Sequence, residues 1–129
     1  MIKLNKLHHL AIICKNYEVS KNFYTKVLGF TIEKEVFRKD RQSFKLDLRL
    51  NGQYLLELFS FPDPPERLTR PESTGLRHIA FEVDDLEESM QSLEEKGLMV
   101  EPIRIDEFTA KRFTFLFDPD DLPIELYEK

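Results

Sequence analysis

Leu7-His8-His9-Leu10-Ala11-Ile12 near the start of the chain returns, altered, as Leu76-Arg77-His78-Ile79-Ala80-Phe81. Each copy leads to a second apolar stretch with one acid embedded in it. These are Tyr54-Leu55-Leu56-Glu57-Leu58-Phe59 and Leu122-Pro123-Ile124-Glu125-Leu126-Tyr127. The two histidines stand 69 residues apart (78 − 9) and the two glutamates 68 (125 − 57). Between them Ala11 matches Ala80, Asn16 matches Asp85, Ser20 matches Ser89 and Gly29 matches Gly97, in order. Ordered matches of this kind indicate a duplicated module. Two imidazoles and two carboxylates brought to a pseudo-two-fold axis make a divalent-metal site.

Working outward, Leu7 to Cys14 is an apolar, β-rich stretch, and Tyr17 to Leu28 has helical spacing, with Asn16 as N-cap and Gly29 as stop. Strands are expected over residues 30–38, 43–50 and 53–61, and Asn51-Gly52 between the last two is a hairpin signal. The second copy repeats the order. It has a strand over 76–83, a helix over 86–96 capped by Asp84 or Asp85, and strands over 100–105, 111–117 and 123–128. Asp118-Pro119-Asp120-Asp121 forms the final turn. Each copy therefore reads β-α-β-β-β. Four of the seven prolines fall between Phe61 and Gly75, which excludes a helix or central strand there. The expected organisation is one domain over 1–129, with modules at 1–60 and 76–129 and a proline-rich connection at 61–75.

The 129 residues suffice for one core, and 41% hydrophobic with 33% charged residues is a globular composition. A net charge of −5 argues against nucleic acid and anionic membrane as partners. There is no apolar run of about 18 residues and no signal-like N-terminus, so a cytoplasmic protein is expected. Cys14 is the single cysteine and reads as a small buried hydrophobe.

Strand alternation sorts the side chains. Leu7, His9, Ala11 and Ile13 share one face. Leu55, Glu57 and Phe59 share another, opposed by Tyr54, Leu56 and Leu58. His78, Ala80 and Glu82 align, as do Glu125 and Tyr127. Phe44, Leu46, Leu48 and Leu50 are expected under the helices, with Lys45, Asp47 and Arg49 on the ligand side. His8 points the other way and reads as structural. A lone Glu57 among leucines would be an expensive buried charge, a difficulty that a metal removes.

With these residues in view, the chain resembles the vicinal oxygen chelate superfamily, which includes glyoxalase I, bleomycin-resistance proteins and extradiol dioxygenases. The resemblance spans essentially the whole length. It rests on His8 to Ile12, on Phe23-Tyr24-Thr25-Lys26-Val27-Leu28-Gly29-Phe30, on Leu76 to Asp85, and on Asp118-Pro119-Asp120 running into Ile124-Glu125-Leu126. It implies an α+β fold in which two tandem βαβββ modules form an open, cup-shaped mixed sheet. The ligand positions of the glyoxalase I branch fall on His9, Glu57, His78 and Glu125. The resemblance further implies one divalent ion per site (Ni, Co, Mn or Zn), chelated by a hydroxy-carbonyl or enediolate. Glu57 or Glu125 would be the catalytic base of a lyase or isomerase, and the protein would be a homodimer. Ile13 stands where bacterial glyoxalase I usually has Arg, and Phe61 where it usually has Asn. Both argue against glutathione adducts as substrate. Asp121 replaces the usual Gly of the final turn.

Other readings are an acyl-CoA epimerase, which usually carries Gln where Glu57 stands, a dioxygenase, and a metal-free small-molecule binder or resistance protein. Candidate substrate-binding residues are Asp47, Arg49, Phe59, Glu82, Arg112 and Tyr127. Lys45 and Arg104 are further cations that could meet an anionic substrate. Arg67 and Arg70 in the connection could reach over a site, although solvation of the linker is the simpler reading.

Overall fold

Leucines at every second position of two adjacent stretches give the first module its core. Leu46, Leu48, Leu56 and Leu58 are all buried. A computed structural model describes Met1–Lys129, which divides into two compact units, Met1–Pro65 and Glu66–Lys129. The boundary falls inside the proline-rich connection. Each unit is an open, four-stranded mixed sheet with a helix after its first strand, an α+β arrangement, and the first unit adds a 3-10 turn at Lys39–Arg41.

In the first unit the elements are β1 Leu10–Cys14, α1 Tyr17–Asn22, β2 Thr31–Arg38, β3 Ser43–Leu50 and β4 Gln53–Ser60. The strand order is β1-β4-β3-β2. β1 lies parallel to β4, and the other pairs are antiparallel. The second unit repeats this with β5 Ile79–Val83, α2 Leu86–Glu95, β6 Arg104–Ile105, β7 Arg112–Phe117 and β8 Pro123–Glu128, in the order β5-β8-β7-β6. β5 and β8 are the parallel pair. Its core holds Leu86 and Leu93 of α2 against Leu116, Ile124 and Leu126.

Local signals act where expected. Asn16 Oδ1 accepts from the Val19 N–H at 3.2 Å, and Asp85 Oδ1 accepts from Glu88 at 2.9 Å. Each satisfies an otherwise orphaned helix N–H. Asn51 and Gly52 both take left-handed φ values, 50° and 79°, as the two-residue hairpin requires. Asp121 has φ 69°, so the family's glycine position keeps its left-handed backbone with Asp in it.

Four expectations need correction. The first helix is not α throughout, because Phe23–Val27 forms a π turn in which Leu28 N–H reaches Phe23 O at 3.0 Å. The Thr25 hydroxyl donates to Lys21 O at 2.7 Å and competes for the α-helical acceptor. The wider turn buries the consecutive rings of Phe23 and Tyr24. Second, β1 starts at Leu10 and β5 at Ile79, so each histidine immediately precedes its strand. The first ladder begins beyond an irregularity in β4, and the second begins at the register of Pro123 and Ile124, where proline offers no N–H. Third, the strand expected over 100–105 shrinks to Arg104–Ile105. Pro102 interrupts it, although Glu101 N–H still reaches Phe115 O at 2.9 Å. Fourth, β4 does not alternate cleanly. Leu48 pairs with Leu56 but Arg49 pairs with Tyr54, so one extra residue bulges from β4.

Candidate metal centre

The parallel closing pair of each module sets a carboxylate beside a histidine. Ala11 is in register with Glu57, and Ala80 with Glu125. His9 Nε2 lies 2.9 Å from Glu57 Oε1, and His78 Nε2 lies 2.9 Å from Glu125 Oε2. Both glutamate side chains are only 13% exposed. The small side chains of Ala11 and Ala80 leave the space beside each pair unobstructed. The structure thus gathers the four expected ligands as two like pairs. It forms no group of three or more His, Cys, Asp or Glu able to hold a metal.

The donor chemistry of each pair fits a first-row divalent ion. Two ligands in adjacent octahedral positions, each about 2.1 Å from the ion, stand about 3.0 Å apart. The 2.9 Å separation in both pairs is that of a direct imidazole–carboxylate hydrogen bond and is also compatible with that edge. His78 Nδ1 is buried without a partner, so this ring can meet a cation only through the Nε2 that faces Glu125.

The surroundings of the two pairs differ. Glu57 Oε2 also meets Lys45 Nζ at 3.0 Å, and Lys45 reaches Asp47 at 2.6 Å. Burial alone would raise the Glu57 carboxyl, but hydrogen bonds from Lys45 and Tyr54 outweigh it and hold the group below the usual carboxylate range. The Lys45 ammonium is pushed up, chiefly by its bond to Asp47. Tyr54 stacks on His9 with ring centroids 5.4 Å apart, and its hydroxyl stands 3.5 Å from Asp47. Burial and then Glu57 push its phenol upward. His8 Nδ1 hydrogen-bonds His9 Nδ1 at 2.8 Å, so His8 turns toward the site and not away from it. In the second pair, Glu125 lies opposite Phe115, whose ring meets His78 edge-on at 5.2 Å.

The other candidates are dispersed. Asp47 is in register with Glu57 and belongs to that site. Arg49 is engaged at the hairpin end by Glu33 and Gly52 O, both at 2.6 Å. Phe59 stacks on Phe61 beneath the Arg38 guanidinium. Glu82 is exposed and in register with Tyr127. Tyr127 donates to Asp106 at 3.0 Å and contacts Thr109. Arg112 clamps Glu87 of α2 and Glu128 of β8, which puts it on the helix side of the sheet, away from Glu125. Sequence reasoning missed Tyr54, because alternation assigned it to the core face and nothing in the sequence announces the bulge.

Comparison with known proteins agrees with this architecture. The chain is 61% identical over 126 residues to the uncharacterized protein YwkD of Bacillus subtilis (strain 168), covering 98% of each. It is 57% identical over 129 residues to the uncharacterized protein YaeR of Escherichia coli (strain K12), covering all of both. More distantly, it is 30% identical over 143 residues to a lactoylglutathione lyase of Schizosaccharomyces pombe, covering 94% of this chain and 46% of that one. A glyoxalase family protein from Enterococcus faecalis superposes with TM-score 0.89 at 47% identity, over 95% of this chain and 97% of that one. The fosfomycin resistance protein FosX of Listeria monocytogenes, crystallised in a mutant form with Mn(II) and a dihydroxypropylphosphonic acid, shares the fold with TM-score 0.75 at 18% identity. That match covers 97% of this chain and 93% of that one. The family model for the Glyoxalase/Bleomycin resistance protein/Dioxygenase superfamily matches residues 6–126, and the chain belongs to that superfamily.

Proposed function

We propose that this protein is a metal-dependent lyase or isomerase of the glyoxalase I type, acting on a small hydroxy-carbonyl compound that is not a glutathione adduct. One observation carries the reading. The module is duplicated together with its His–Glu pair, and in both copies the imidazole meets a largely buried carboxylate at 2.9 Å. In this reading His9, Glu57, His78 and Glu125 hold one divalent ion, of Ni, Co, Mn or Zn, with the two modules coming from one chain or exchanged across a homodimer. Six-fold coordination would leave two positions for vicinal substrate oxygens. The ion would supply electrophilic polarisation of those oxygens, which acidifies the neighbouring C–H.

The protein's own groups divide the remaining work. Glu57 is held at both oxygens, by His9 and by Lys45, and serves as a fixed ligand. Glu125 is engaged through Oε2 by His78. Its other oxygen is the one suited to take the proton from carbon and return it to the adjacent carbon. The Phe115 ring, in register with Glu125 and edge-on to His78, gives this pair an apolar neighbour. Ile13 and Phe61 in place of the family's Arg and Asn support a substrate other than a glutathione adduct.

Metal content per chain, measured by mass spectrometry on gently purified protein, tests the reading. About one divalent ion per site is expected, lost in the His9→Ala/Glu125→Ala double variant. A protein that neither carries nor takes up Ni²⁺, Co²⁺, Mn²⁺, Fe²⁺ or Zn²⁺ would be a metal-free small-molecule binder instead.

A further inference from the structure

A cavity of about 240 Å³ lies wholly within the second unit. It is lined by four arginines, Arg67, Arg70, Arg77 and Arg104, and by Phe115 and Phe117. Two lining glutamates, Glu72 and Glu101, leave the wall net positive in a chain whose overall charge is −5. Three of the arginines have carboxylate partners. Arg70 meets Asp121 at 2.7 Å, Arg104 meets Glu101 at 3.1 Å, and Arg77 stands 3.9 Å from Glu72.

Arg67 differs from these. Its Nε donates to the Thr69 hydroxyl at 3.1 Å, and its Nη2 donates to Leu76 O at 2.5 Å and Arg77 O at 3.1 Å. All three acceptors are neutral. The guanidinium is therefore fixed in place, half-buried, with its charge uncompensated by any carboxylate. A pre-organised, unneutralised cation facing a cavity favours an oxyanion there. Aromatic rings complete the wall. The Arg104 guanidinium lies 5.4 Å over Phe115, and that of Arg70 lies 4.7 Å over Phe117. These cation–π contacts set the flanking guanidinium groups against the aromatic wall.

We propose that this cavity binds the anionic end of a small organic acid, a carboxylate or a phosphate, with Arg67 as its anchor. Phe115 forms one wall of the cavity and also packs against His78, opposite Glu125. The cavity thus adjoins the second His–Glu pair. Its place in the reaction rests on the metal-dependent reading above, and its binding chemistry does not. Together they specify the substrate class as an acidic hydroxy-carbonyl compound, with the acid group seated at Arg67 and the vicinal oxygens toward His78 and Glu125.

The test uses the full-length protein freed of metal with a chelator. Inorganic phosphate and acetate are titrated in separate arms at constant ionic strength, and backbone amide shifts are followed by NMR. Saturable shifts concentrated on Thr69, Ser73, Arg104 and Phe115 are expected, and the tighter of the two anions identifies the acid group. Arg67→Met should weaken binding about tenfold or more, while Arg41→Met in the other unit leaves it unchanged. Arg67 also ties down the 67–77 segment, so Arg67→Lys and Arg104→Met provide the decision if Arg67→Met misfolds. Shifts spread evenly over the surface, or equal affinity in all the folded variants, would overturn the subsite. Metal uptake without localised anion binding removes the subsite alone. Localised anion binding without metal uptake removes the metal-dependent reading and keeps the subsite.

Discussion

The two modules place the same His–Glu pair on unlike floors. Opposite Glu57 stands Asp47, with Lys45 two residues before it. Opposite Glu125 stands Phe115, with Phe113 two residues before it. The first pair is thus embedded in a charged network of Lys45, Asp47 and Tyr54, and the second is set against aromatic rings. The duplicated module keeps its His–Glu pair while the surroundings differ. A carboxylate held by an ammonium is restrained from moving, although the ammonium also competes for its second oxygen. One flanked by rings, with a free oxygen, is better placed to exchange a proton.

The comparison can be broken most directly at the carboxylates. Glu125→Gln should lower deuterium incorporation into a hydroxy-carbonyl substrate by about 10²- to 10⁴-fold. Glu57→Gln should instead show itself mainly in lost metal affinity, and equal exchange losses in the two variants would erase the asymmetry. Next in size are the cores. Leu58→Ala and Leu126→Ala each remove a buried side chain and should cost about 2–5 kcal/mol in urea denaturation. Lys45→Met tests the charged floor, since it removes a cation that competes for Glu57 Oε2. Divalent-metal affinity should rise about tenfold at low salt and less at high salt, as titration calorimetry would read.

The smallest effect concerns how each helix is tied to its sheet. Lys21 and Tyr17 hydrogen bonds hold the Glu35 carboxyl below the usual carboxylate range, against the opposing effect of burial. A depressed folded-state value means the contribution is present above the unfolded pKa and lost as pH falls through the folded one. The Tm of Glu35→Gln should therefore lie slightly below that of the parent at pH 7, by under about 1 kcal/mol in stability. The two should converge as the pH falls through the lowered folded-state pKa of Glu35. The matching tie in the second module, Arg112 to Glu87 and Glu128, would be untouched.

Features that depend on short-range chemistry were readable from the sequence. Asn16 and Asp85 cap, Asn51-Gly52 turns, and the repeat of His9 and Glu57 in His78 and Glu125 marks the pairs before any coordinates are seen. Features that depend on the count of residues between pairing partners were not. One bulged residue moved Tyr54 to the ligand side, and Pro102 cut a strand to two residues. Arg112 was in principle legible. It is in phase with Thr114 and Leu116, which are buried, so strict alternation already assigns it to the helix side. Arg67 was not, because solvation of a proline-rich linker and a guanidinium bonded to backbone carbonyls look the same in sequence.

The parallel pairing that closes each module also bears on how the protein is made. β1 joins β4, and β5 joins β8, across the widest sequence separation within each module. Such non-local pairings carry the largest loop-closure cost within each module. Neither His–Glu pair exists until its final strand docks. In the proposed metal-dependent reading, ion capture would wait for that docking, since a partly folded chain offers only isolated side chains. Loading an ion would then draw the folding equilibrium forward by mass action.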